Sequence, residues 1–330
     1  MAVGFVPSLP MRLVILILLL SLQADAFGQQ RAFRERRSVL NTEASVLVYA
    51  ASRDEAQPFL DAAFAEMQRV ESVLIGSELF GEGELPYSSD LGEEMARLLN
   101  RAFGWASLSA GAYDPTAGVL NELWGHADSP PSDSLLQAAR RQAGWRNVSL
   151  DILTSEIRFQ QAGMRLDGTA LGQGFALDAA ARVLSEAGSG PALLSIGGHT
   201  YRALDPPPGQ TGWLINVNDP SAEGTLSSAV RLSNAALSTF PGRGASSEAG
   251  LFSFPDPRTG RPAVVSTQAT IVAGDATDAA ILAAMVFVLG PDASEAILAE
   301  VPGVKAWIIH PAAEAPEVRS IRWTATNQNP

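Results

Sequence analysis

Apolar residues recur along this chain with two periods, and the switches between them outline its elements. Residues 44–50 are β-branched and apolar, the pattern of a strand, and 55–74 then set Phe59, Ala63, Met67 and Val70 at helical spacing. The Gly- and Ser-rich piece 76–89 predicts a loop, and 91–106 a helix with Met95, Leu98, Leu99 and Phe103 on one face. A Pro- and Ser-rich break at 129–134 precedes a predicted helix over 135–143 and short strands at 148–150 and 156–159. Within 174–187, Leu177, Ala180, Ala181 and Leu184 form one apolar stripe, and 192–196 reads as a buried strand ending at Gly197-Gly198. Strands at 213–217 and 269–273 follow. A helix over 277–289 is then expected, with Ile281, Leu282, Met285 and Leu289 on one side and Thr277 as N-cap. Helices and strands mix without a regular βαβ rhythm, so the fold class is α+β.

Composition narrows the function. The 330 residues are 46% hydrophobic, enough to bury a large core. A net charge of -12 leaves no basic stripe to neutralise phosphates, which argues against a nucleic-acid partner. Arg12, the apolar run 13–22 and Ala24-Asp25-Ala26 read as an export signal, with removal expected after Ala26 and the mature protein in the periplasm. The apolar run is too short for a bilayer of roughly 30 Å, so no stable membrane insertion is expected. The expected organisation is a signal at 1–26, a flexible arm at 27–38, one domain over 39–315 and a tail at 316–330. No cysteine is present, which excludes disulfides and thiolate chemistry.

Four glycine-containing turns carry nearby carboxylates: 111–116, 167–178, Gly197-Gly198 with His199, and 256–260. Each has a structural reading beside a functional one. Asp256-Pro257-Arg258-Thr259-Gly260 suits a tight turn, since Asp bonds its own backbone, Pro fixes φ and Gly accepts positive φ. Asp167 and Asp178 read either as caps or as site carboxylates, and Tyr113 and Trp124 either as core aromatics or as ligand walls. The three histidines offer no pair at metal-ligand spacing.

Taken in order, these motifs resemble the FAD:protein FMN transferases, the ApbE-type flavin transferases. The likeness is carried by Gly111-Ala112-Tyr113-Asp114-Pro115-Thr116 with Leu123-Trp124-Gly125, by 166–178, Gly197-Gly198, 234–239 and 256–262, and by Val288-Leu289-Gly290. The resemblance implies a single flavin-transferase-type domain. It also implies splitting of the FAD pyrophosphate with Mg2+ and attachment of FMN to a Ser or Thr of an acceptor flavoprotein in a redox complex. It places Ala112, Tyr113 and Asp114 at the flavin or adenine, Asp167 and Gln173 beside the nucleotide, and Gly197 and Gly198 where backbone approaches ligand. Thr239 and Asp256 fall at catalytic positions, and the Ala170 carbonyl at the metal.

The departures from that pattern gather on one site. Ala280 and Ala284 stand where the family has its metal-binding Asp and Thr, with Ala283 between them. Asp278 reaches that metal only if the helix is shifted, because two helical positions rotate a side chain by about 200°; Asp275 is likewise displaced. Ser253 replaces a histidine, Leu40 a methionine, Gln173 a charged residue and Phe240-Pro241 the Ser-Gly after Thr239, while a tyrosine is missing near Ile75-Gly76. Two readings follow: a Mg2+-dependent transferase, or a catalytically impaired paralogue acting as a flavin-binding or protein-interaction scaffold.

Overall fold

The computed structural model describes residues 30–76, 87–125, 129–218, 227–240 and 254–326. The expected signal segment, His126, Pro241 and Ser253 lie outside the described residues. The centre is an eight-stranded antiparallel sheet in the order β1-β2-β6-β7-β10-β13-β14-β15. These strands are Arg31–Val39, Thr42–Ala50, Ala192–Ile196, Thr200–Leu204, Ala236–Phe240, Gln268–Ala273, Lys305–His310 and Glu317–Ile321 respectively. The helices are α1 (Arg53–Gly76), α2 (Gly92–Leu108), α3 (Gly118–Gly125), α4 (Asp133–Arg141), α5 (Thr169–Glu186) and α6 (Ala276–Ala299). A mixed architecture of helices and antiparallel strands is the α+β class expected.

Side chains alternate across each strand, so the sheet has two differently covered faces. Val46, Val48, Leu194, Ile196, Ala236 and Ile271 join α1, α5 and α6 in the main core, where Leu60, Phe64 and Met67 are fully buried. Leu237, Val272, Trp307 and Ile309 face the other way, under the hairpin of β8 (Trp213–Val217) and β9 (Ser228–Leu232). Outside the main sheet, β3 (Tyr87–Asp90), β5 (Glu156–Phe159) and β4 (Val148–Asp151) form a small sheet. A two-residue pairing of β11 (Pro255–Asp256) with β12 (Arg261–Pro262) carries the Asp-Pro-Arg-Thr-Gly turn.

Several expectations need correction. The stretch taken as an arm is β1 from Arg31 onward, paired with β2 along its whole length through a turn at Leu40 and Asn41 with φ of 51° and 58°. Its charges hid it: Arg37 bonds Glu35 at 2.8 Å, pairs with Asp61 and stacks over Phe64, so polar residues cover an edge strand. The expected tail contributes β15, which closes the opposite edge of the sheet against β14. Part of the expected loop is β3.

The helices also begin and end elsewhere than the apolar stripes suggest. α5 starts at Thr169, and α6 is capped by Asp275, whose Oδ1 accepts the Asp278 N–H at 2.9 Å; the Thr277 hydroxyl donates to Asp178 instead. Past residue 289, α6 continues across a kink where Gly290 takes φ 76° beside Pro291. α6 is long and apolar enough to cross a membrane by composition, and its burial against α5 and the sheet accounts for that composition.

Candidate functional site

Two chain segments are stitched together at the start of α5. The Asp167 N–H donates to the Pro115 carbonyl at 2.7 Å, and Ala117 bridges Arg165 in parallel. Each oxygen of the Asp167 carboxylate has a partner: Oδ1 accepts the Thr169 N–H at 2.9 Å and Oδ2 accepts Asn121 Nδ2 at 2.7 Å. Asp114 organises the other side. Its Oδ1 accepts from the Thr116 N–H (2.8 Å) and hydroxyl (2.6 Å), and its Oδ2 from the Trp145 N–H (2.9 Å). Burial pushes the Asp114 carboxyl above its usual range, and these donors only partly offset that.

Tyr113 feels the charge of both aspartates, and its hydroxyl is buried and without a hydrogen-bond partner. Burial, then the charges of Asp167 and Asp114, drive its pKa well up, so the phenol stays protonated and able to donate. Asn121 Oδ1 and Trp145 Nε1 are likewise buried and unpartnered. Polar atoms of this kind are uncommon in a folded interior and mark a place where a ligand group or water fits. Ala112, beside them, is buried. The 256–260 turn closes on this region. A side chain at Gly111, where φ is 84°, would lie 3.8 Å from Arg258 Cγ and 3.5 Å from Trp145 Nε1. Asp256 holds Arg258 through Nε at 2.9 Å and Nη2 at 2.8 Å, and its carbonyl accepts the Gly260 N–H at 2.7 Å. Trp124 Nε1 in turn donates to the Gly260 carbonyl. The Asp256 carboxylate therefore serves its own turn.

Gly197 and Gly198 take φ of 63° and 65°, and a side chain at Gly197 would meet the His199 ring at 2.5 Å. The Gly198 carbonyl accepts the Tyr201 hydroxyl at 2.8 Å. His199 Nδ1, Thr200 Oγ1 and Ser238 Oγ form a chain at 3.1 and 2.9 Å, and burial lowers the His199 pKa, keeping the ring neutral. On β10 the alternation matters: Ala236, Ser238 and Phe240 face the helices, while Thr239 faces the opposite layer and shares a 3.0 Å hydroxyl contact with Thr270. Thr239, expected at the reaction centre, thus stands on the other side of the sheet from α5 and α6. On the helix side Phe240 packs edge-on against Phe254 (4.6 Å between centroids) and Phe287 (5.2 Å).

The residues the resemblance places at a metal do not fit one. Ala280 and Ala284 are each 3% exposed and carry no donor atom. Ala170 lies in the first turn of α5, where its carbonyl belongs to the helical ladder. Gln173 is half-buried on the same helix. Asp278 is committed elsewhere: its Oδ1 accepts Arg101 Nε and Trp105 Nε1, both at 2.7 Å, and Arg101 also pairs with Asp275 at 2.5 Å. Burial opposes the Arg101 charge, and the two aspartates more than compensate, raising its pKa. Among the described residues no group of three or more His, Cys, Asp or Glu side chains is arranged to hold a metal ion.

Asp178 acts as a tether rather than a ligand. From α5 its Oδ1 accepts the Ala276 N–H (2.8 Å), and its Oδ2 accepts the Thr277 N–H (2.8 Å) and hydroxyl (2.6 Å). Arg202 approaches at 3.3 Å. Burial and then Asp275 raise its pKa. A cavity of about 870 Å³ opens at this end of α6, lined by Arg97, Arg101, Arg182 and Arg202 with carboxylates beside them. Sequence reasoning missed this cluster and the unpartnered Asn121 Oδ1 and Trp145 Nε1. Arg101 and Asp278 are 177 positions apart, and no local pattern links them.

Known proteins resemble this chain in sequence and in fold. A chain from Treponema pallidum (strain Nichols), named FAD:protein FMN transferase, is 30% identical over 315 residues, 85% of each chain. One of the same name from Rhodobacter capsulatus is 30% identical over 78% of this chain and 51% of its own length, so this chain spans about half of that relative. Among solved structures, the flavin transferase ApbE of Vibrio cholerae superposes with TM-score 0.76 at 19% identity, covering 89% of this chain and 98% of that one. The apo flavinyl transferase ApbE of Pseudomonas stutzeri gives TM-score 0.74 at 20% identity, covering 89% and 96%. The model of the ApbE family matches residues 40–308, and the chain belongs to that family.

Proposed function

We propose that this chain is an FAD:protein FMN transferase, moving the FMN half of FAD onto a Ser or Thr hydroxyl of an acceptor protein. The observation that carries the reading is 30% identity to a relative of that name across 85% of both chains. In this reaction the acceptor oxygen bonds the FMN phosphorus, the pyrophosphate bridge breaks with its electron pair leaving on AMP, and the hydroxyl proton passes to solvent or a base. Positioning supplies most of such a transfer. Ala112, Tyr113, Asp114, Asp167, Gln173, Gly197 and Gly198 are the residues proposed to face the nucleotide. The three unpartnered atoms of Tyr113, Asn121 and Trp145 support that side of the site. We place the acceptor, a redox flavoprotein, outside the cytoplasm, on the strength of the export signal at 1–26.

A second reading has its own observation. Apolar residues at Ala280, Ala284 and Phe240 favour a paralogue that binds flavin without transferring it. Incubating the purified protein with FAD, Mg2+ and a Ser/Thr acceptor separates the two. A fluorescent flavin adduct in the denaturing gel, with equimolar AMP, is expected for the transferase. FAD retained without adduct or AMP selects the binding protein, and neither adduct nor retained FAD refutes both.

A further inference from the structure

We infer that the cradle between the first turn of α5 and the middle of α6 holds no divalent cation in this chain, and presents an apolar wall to its ligand. The identity of the ligand as a flavin rests on the function proposed above; the absence of a cation does not.

Mg2+ demands about six oxygen ligands in near-octahedral array, some of them water. Residues 280, 284 and 287 follow one another at spacings of four and three, which puts them on one stripe of α6. That stripe reads Ala, Ala, Phe, and Ala283 beside it is also fully buried. Phe240 extends it from the end of β10, and Phe254 completes an edge-to-face trio, its ring 6.4 Å from that of Phe287. Among the described residues, the side chains of that stripe offer no oxygen.

The nearby carboxylates cannot move in to replace it without undoing other bonds. Asp167 would give up Asn121 and the Thr169 N–H at the start of α5. Asp278 lies about 200° round the helix from Ala280. Swinging it inward would strip Arg101 and Trp105 of a shared acceptor. Leaving a partly buried guanidinium short of its counter-charge is unfavourable. Flavin binding should therefore be indifferent to divalent cations.

The test titrates Mn2+, a paramagnetic stand-in for Mg2+, into the purified protein by electron paramagnetic resonance. Flavin binding is followed by fluorescence with and without EDTA. Expected are no stoichiometric Mn2+ site and an FAD affinity indifferent to EDTA. One Mn2+ bound per chain, or FAD affinity falling about tenfold in EDTA, overturns the inference. The Ala280→Asp/Ala284→Thr double variant, checked for a cooperative melt, should gain one Mn2+. If it folds and gains none, the assignment to these two alanines is overturned, and if it fails to fold the wild-type titration still decides. Absence of any flavin binding would refute the proposed function while the Mn2+ result stood on its own.

Discussion

Gly174 is where α5 and α6 meet most closely, and replacing it with Ala measures how firmly that contact is set. A methyl there would sit 2.6 Å from the Ala276 carbonyl oxygen and 2.6 Å from Thr277 Cα. Both atoms are backbone in the first turn of α6, which Asp178 pins from α5, so no side chain can rotate away. Ordinary contact distances of about 3.5–4.0 Å require the helices to part by roughly 1 Å. Overpacking costs about 1–3 kcal/mol, and a rigid backbone neighbour argues for the upper end. Better helix propensity returns about 1 kcal/mol, leaving a net loss of roughly 2 kcal/mol. At about 2–4 °C per kcal/mol, Gly174→Ala should melt some 4–8 °C lower by circular dichroism. Gly104→Ala is the control: it lies exposed in α2 with nothing within 4 Å of the added methyl, and should gain about 0.5–1 kcal/mol. A Gly174→Ala protein melting at or above wild type, with Gly104→Ala behaving as expected, would refute the reasoning.

Other perturbations test other joints. Asp114→Asn must aim its amide N–H₂ at either the Thr116 or the Trp145 donors, and should cost about 1–3 kcal/mol in urea unfolding; an unchanged midpoint would show that this turn does not need the carboxylate. Asp178→Ala leaves the Ala276 and Thr277 N–H groups, the Thr277 hydroxyl and Arg202 short of their acceptor. It should exceed the roughly 2 kcal/mol at the top of the range for a single lost cap. His199 titrates lower folded than its usual 6.5, so the unfolded chain binds more protons and stability rises with pH. Its contribution is complete above about 6.5 and falls away as the pH drops below that value. His199→Gln should flatten the stability profile between about pH 5 and 7, and a profile of unchanged slope would remove His199 as its source.

What could be seen in the sequence follows from how local each signal is. Helices α1, α2, α5 and α6 were legible because each buries a long stripe, and β2 and β6 because they are β-branched or apolar and bounded by turn residues. β10 and β14 were not: Ser and Thr interrupt the apolar run of Ala-Leu-Ser-Thr-Phe, and Lys-Ala-Trp-Ile-Ile-His shows no strict alternation. β1 was disguised by its charges, which suit an edge strand half in water. In the site, the order of the glycine and Asp-Pro turns was readable, since left-handed φ and fixed φ demand particular residues. Which face Thr239 takes depends on register in a sheet built from distant segments, and only the fold supplies it.

The two halves of α6 answer to different constraints. Its first turn is fixed by Asp178, Asp275, Asp278, Arg101, Trp105 and Thr277, a network drawn from α2, α5 and α6 itself. Gly174 adds a backbone contact that admits no side chain. These bonds position α6 without any atom from residues 280–287, where the stripe towards α5 and β10 is wholly apolar. A helix so held at one end does not need a metal at its middle to set its place. The middle of α6 therefore carries methyl groups and aromatic rings without loss of the α5–α6 pairing.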